Sequence, residues 1–188
     1  MMSHRSMLVL FLVAAAAVSG TVLAGPSGVV VNSRFFPLPG ARACLVEGDQ
    51  TGPCILTDGG GEYYLPDSGM TRVRITLAGY LPVEVPAVDQ VNPVMMEQAA
   101  VLMLNVVHET TRESLSVGEF WITGTGGDRI GPFPVSAAGT LIKSLRPGQI
   151  AIRVEAAGFS QEKPVWAELY AGSETRVEVP LVPVSSAR

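Results

Sequence analysis

The sequence has little to do chemistry with. Of its two histidines, His4 lies in the apolar leader and His108 stands alone beyond it. A lone imidazole with no second histidine or cysteine nearby reads first as a satisfied strand-edge residue. A metal-ligand or general-base role beside Glu109 would lack the remaining ligands. No Gly-x-Ser-x-Gly elbow occurs, and no serine has a legible base, so no nucleophile stands out. Basic clusters are missing as well. Thirteen Lys and Arg against seventeen Asp and Glu give a formal charge of −4, without the positive footprint that nucleic-acid binding needs. Helical 3.6-residue periodicity never persists for three turns past the leader. No second apolar run is long enough to span a bilayer. These shortages argue against an enzyme, and they lead us to expect no cofactor, no metal and no nucleic-acid partner.

What is present begins with the leader. His4 and Arg5 give a basic start, Met7 to Val18 is unbroken and apolar, and Val22-Leu23-Ala24 ends in small residues at the −3 and −1 positions. That is the grammar of a secretory signal peptide, residues 1–24, cut after Ala24. The rival reading is an uncleaved anchor over residues 7–24, which approaches the ~18 residues such a helix needs. Ser19, Gly20 and Thr21 weaken that rival, and a lipoprotein is disfavoured because Leu23-Ala24-Gly25 is followed by Pro26, where lipidation would require a cysteine. The expected location is therefore secreted or periplasmic, with membrane attachment only if the leader stays. Cys44 and Cys54, the two cysteines, both lie in the exported part. In an oxidising compartment an even pair this close reads as a disulfide, and the small loop implies roughly 2–3 kcal/mol of stabilisation in the chain-entropy model. A redox-active pair would favour closer Cys-x-x-Cys spacing.

One phrase occurs twice. Residues 73–80 read Val-Arg-Ile-Thr-Leu-Ala-Gly-Tyr, and residues 152–159 read Ile-Arg-Val-Glu-Ala-Ala-Gly-Phe. In both, β-branched and apolar residues alternate with polar ones, the period of a strand with one buried face. In both, a glycine that can take positive φ precedes an aromatic able to fold back over the core. Flanking elements repeat at similar offsets: Ser136 to Leu141 echoes Asp58 to Tyr63. Such spacing points to duplication. Other short alternating runs, at Val29 to Asn32, Ala41 to Glu47, Glu62 to Leu65, Val101 to His108, Val117 to Thr123 and Thr175 to Val182, give further strands. Twenty glycines and fourteen prolines suit the many turns between them. Parity puts Cys44 opposite Ala43 and Leu45, so the bridge is expected on the face away from the core.

The first copy carries Gly28-x-Val30, Pro37-Leu-Pro-Gly-Ala41, Thr57-Asp58, Gly61-Glu-Tyr63 and Val73-x-Ile75-x-x-x-Gly79-Tyr80. With these residues it resembles the carboxypeptidase regulatory-like domain, a transthyretin-like, carbohydrate-binding-like β-sandwich of about seven strands. The second copy is similar more loosely, through Leu104-x-Val106, Gly139, Leu145-x-Pro-Gly148 and Ala157-Gly158-Phe159. It lacks the Pro-x-x-Gly-Ala signature and has Ser136 in place of the turn aspartate. The resemblance implies an all-β chain: two tandem transthyretin-like, Ig-like Greek-key sandwiches after the signal peptide, at residues 25–98 and 99–188. It is silent on activity, because the matching residues belong to turns and core.

Other motifs are weak. Asp58 with Glu62 offers too few carboxylates for calcium, and Asp58 reads better as a turn cap. Gly124-x-Gly126-Gly127 has no following helix to bind phosphate, so it reads as a hairpin loop. Trp121, on the face opposite Phe120 and Ile122, could join Phe133, Trp166 and Tyr170 in a platform for a sugar ring. The alternative is that both indoles pack at a domain seam or on the second side of a sheet. The expected function is a non-catalytic interaction, adhesion or scaffolding module with a protein partner. The alternative is a glycan-binding protein using Trp121 and Trp166.

Overall fold

The computed structural model describes residues 25–184, so the expected signal peptide lies outside the described residues. Every regular element described is a strand. β1 (Ser27–Asn32) is the middle of a three-stranded sheet, antiparallel to β4 (Glu62–Tyr64) and parallel to β7 (Val94–Met96). A second sheet centres on β2 (Arg42–Glu47) and β5 (Arg72–Thr76), edged by β3 (Gln50–Leu56) and β6 (Val83–Pro86).

The same wiring then repeats. β8 (Ala100–His108) lies antiparallel to β11 (Thr140–Leu145) and parallel to β15 (Glu174–Pro183), which also carries the two-residue β13 (Phe159–Ser160). Its partner sheet centres on β9 (Glu119–Gly124) and β12 (Gly148–Glu155), edged by β10 (Arg129–Pro134) and β14 (Val165–Leu169). The order β4-β1-β7 becomes β11-β8-β15, and β3-β2-β5-β6 becomes β10-β9-β12-β14. Even the unusual parallel pair is reproduced. The chain is two β-sandwiches in tandem, each built on one copy of the repeated phrase.

Alternation explains how each sandwich closes. Val73 and Ile75 of β5 are fully buried while Arg72, Arg74 and Thr76 are exposed. Ile150, Ile152 and Val154 of β12 do the same in the second copy. The first set packs with Val30, Leu45, Tyr63 and Met96; the second packs with Leu102, Leu104, Phe120 and Val179. The two apolar clusters share no residue.

Past each organising strand the turn is the same. Gly79 and Gly158 sit at φ 82° and 79°, and the following Tyr80 and Phe159 each donate an N–H to the carbonyl three residues back at 3.1 Å. Both aromatics then lie against their own cluster, as the sequence predicts. Ala99, between the cores, donates to Gly79 O at 2.9 Å and accepts from Gly172 N–H at 3.0 Å. The connection is thus hydrogen-bonded to both sandwiches.

Two elements differ from the sequence expectation. The sequence suggests a return strand over Cys54 to Thr57 after a loop at Gly48 to Pro53, but the strand begins at Gln50. Pro132-Phe133-Pro134, assigned no element from the sequence, forms the end of strand β10. The register of β10 on β9 shifts between Ile130 and Phe133, a bulge that accommodates the prolines on an edge strand.

Candidate functional site

The outer face of the β10-β9-β12-β14 sheet is the most distinctive surface. Register places Trp121 opposite Arg153, and Ala151 between Thr123 on one side and Trp166 on the other. Side chains two apart share a face, so Trp121, Arg153, Trp166 and Glu168 all point away from the core, where Phe120, Ile152 and Leu169 are buried. Tyr170 follows β14 with the same parity. Trp166 and Tyr170 are each 62% exposed. Together with Glu168 they line one sheet edge with two aromatic surfaces and a carboxylate between them.

Trp121 is covered differently. The Arg129 guanidinium carbon lies 4.4 Å from its ring centroid, a cation–π contact worth about 0.5–1 kcal/mol at such a site. Gly131 makes the ring's seat possible: a Cβ there would meet Phe120 O at 2.8 Å and Trp121 Cδ1 at 3.1 Å. Trp121 is therefore half-buried beneath its own neighbours.

Phe133 does not join this group. The bulge after Ile130 adds a residue to β10 and turns Phe133 inward, where it pairs with Phe120 at 5.4 Å between ring centroids. The four aromatics singled out in the sequence thus divide: Trp166 and Tyr170 open, Trp121 shielded, Phe133 half-buried against the core. The bulge that decides this has no clear sequence signal beyond Gly131-Pro132 in an edge strand.

The remaining candidates are structural. His108 Nδ1 accepts from the Thr110 and Thr111 N–H groups at 3.2 and 3.3 Å, and its ring stands edge-on to Phe159. Asp58 Oδ1 accepts from Gly60 and Glu62 N–H, both at 2.9 Å, so it caps its turn. Ser136 repeats that cap with Ala138 N–H at 3.3 Å. Gly124 to Gly127 forms the β9–β10 hairpin loop, with Gly127 N–H donating to Gly124 O. Among the described residues no group of three or more His, Cys, Asp or Glu is placed to hold a metal. Cys44 and Cys54 form the disulfide, directly opposite one another on β2 and β3 and on the outer face.

No family model matches the chain, and no curated protein matches it. Solved structures with similar architecture exist. The Bacillus anthracis TIE protein shares 15% identity with a TM-score of 0.45, over 86% of this chain and 34% of that one. A Streptococcal ancillary pilin shares 16% identity with a TM-score of 0.42, over 89% of this chain and 64% of that one. GBS52, the minor pilin of Streptococcus agalactiae, shares 10% identity with a TM-score of 0.43, over 88% and 98%. The chain spans about a third of the first of these and under two thirds of the second. At these identities and TM-scores the likenesses assign it neither family nor function.

Proposed function

We propose that this chain is an exported, non-catalytic binding module: two carboxypeptidase regulatory-like sandwiches, residues 25–98 and 99–188, that hold a partner by adhesion or scaffolding. The observation that carries the reading is the open outer face of the second sandwich, with Trp166 on β14 and Tyr170 just past its end, both 62% exposed. Exposed aromatics on a fixed scaffold supply contact area at low entropic cost.

The sheet edges offer less. β3 contains Pro53, β6 ends in Pro86, and β10 holds Pro132 and Pro134. Pro93 precedes β7 and Pro164 precedes β14. Prolines at or beside edge strands discourage strand addition, so faces and loop tips are the better docking surfaces. Among the described residues no helix is long and apolar enough to cross a membrane.

A second reading, glycan binding, is favoured by the sequence Trp166-x-Glu168-x-Tyr170 on one face. A sugar ring stacks on an indole while its hydroxyls donate to a carboxylate. Both readings are tested by passing protein-coated beads over immobilised soluble glycans and extracellular matrix proteins. Retention that is lost in a Trp166→Ala/Tyr170→Ala variant of unchanged circular dichroism supports a binding face. The retaining surface then says which partner class applies. No retention on any surface, or turnover in a hydrolysis screen, would contradict the proposal.

A further inference from the structure

A different surface carries a more specific inference. β1 and the following residues form a hairpin with a three-residue loop, Ser33-Arg34-Phe35. Asn32 N–H donates to Phe36 O at 3.0 Å, Phe35 N–H donates to Asn32 O at 2.9 Å, and Val31 bridges Pro37. The Asn32 side chain adds two more bonds, with Oδ1 accepting from Arg34 N–H at 2.9 Å and Phe36 N–H at 3.0 Å. In such hairpins the last loop residue is left-handed, a position glycine favours. Here it is Phe35, at φ 62°. A bulky side chain there is a strained choice, and strain held by five surrounding contacts points to use. The result is a fixed tip that pushes two adjacent rings into solvent, Phe35 67% and Phe36 62% exposed, with Arg34 beside them.

The second sandwich holds a matching recess. At the end where β9 stops and β12 begins, the core opens into a cavity of about 550 Å³. Buried Ile122, Ile150 and Leu169 line it, together with Ile130, which is 41% exposed. Glu97 and Asp128 also line it, against one arginine, Arg146. The lining is mixed, with Thr125, Ser144 and Gln149 beside the apolar residues; the phenylalanine rings suit its apolar part at Ile130, and Arg34 suits the two carboxylates. In this chain the tip is not seated there, since both rings face solvent.

We propose that the Phe35–Phe36 tip of one copy docks in the cavity of a second copy, with Arg34 against Asp128 and Glu97. Tip and cavity are different surfaces, so the contact is heterologous and either closes reciprocally or runs on into a chain. It uses neither Trp166 nor Tyr170 and stands independently of the binding face described above.

Sedimentation velocity over a concentration series tests it. The purified protein is expected to show a weight-average coefficient that rises with concentration. Phe35→Gly should weaken association by about tenfold or more while its thermal midpoint holds or rises, because glycine relieves the left-handed position. Arg34→Asp and Asp128→Arg should each weaken it, and mixing those two variants should restore it. Trp166→Ala should change nothing. A protein monomeric at every concentration would overturn the proposal, as would association that survives Phe35→Gly or a charge swap without rescue. Cosedimentation of the monomer with phosphatidylglycerol vesicles, abolished by Phe35→Gly, would reassign the tip to a membrane and overturn it equally.

Discussion

Two buried hydroxyls of the first sandwich have opposite fates. Thr57 Oγ1 donates to Leu38 O at 2.6 Å and accepts from Ala41 N–H at 2.9 Å, so it ties the turn before β2 to the turn after β3. Tyr63, 1% exposed, has no hydrogen-bond partner for its hydroxyl among the described residues. Burial, and then the charge of Asp89, push its pKa up to about 12, so the group stays neutral and unpaired. Thr57→Val should therefore cost about 1–3 kcal/mol, while Tyr63→Phe should be neutral or stabilising by up to about 1 kcal/mol, both read by urea denaturation. Glu84 adds a pH dependence. The hydrogen bond from Arg74, and the Arg74 and Arg72 charges beside it, hold its carboxyl below the usual carboxylate range. A lowered folded-state pKa means the contribution is present above the ordinary carboxylate value and is lost as pH falls through the lowered one. Glu84→Gln should flatten that acid-side part of the stability profile and leave its slope near neutrality unchanged. The inward parity of Tyr63 is legible in the sequence. Its orphaned hydroxyl is not, because that depends on which groups the facing sheet brings near.

At the scale of elements, alternation located strands such as β5, β8 and β12, whose residues are buried and more exposed in turn, whereas β2 is buried on both faces from Ala43 to Val46. It failed where the pleat itself changes. The bulge in β10 turns Phe133 from the expected outer platform to the inner side, where it is half-buried against the core, and no side-chain pattern announces it. The left-handed Phe35 was equally hidden, because composition favours glycine there. The pairing of β9 with β12 carries another local conflict. Glu119 and Glu155 stand directly opposite each other on the outer face. Like charges so placed repel, and Glu119→Gln should raise stability by about 0.2–1 kcal/mol in a thermal or urea melt, with less effect in high salt. No change at low salt would show that solvent already screens the pair.

The molecule as a whole repeats one wiring diagram, and that was the most legible feature of the sequence. The duplicated phrase fell on β5 and β12, equivalent centres of equivalent sheets. Two separate cores imply two separable transitions. The disulfide belongs to the first sandwich, whereas Trp121 and Trp166 both belong to the second. Reduction should remove about 2–3 kcal/mol from the first transition, seen by circular dichroism, and leave the tryptophan-detected transition in place. A fluorescence midpoint that moves with reductant would mean one cooperative unit. The functional account rests on the second sandwich presenting an open aromatic face, and acrylamide quenching of tryptophan emission tests this most directly. The account predicts one readily quenched indole and one shielded indole in the wild type, and only shielded, blue-shifted emission in Trp166→Phe. Two equally shielded indoles, or quenching unchanged by Trp166→Phe, would contradict it.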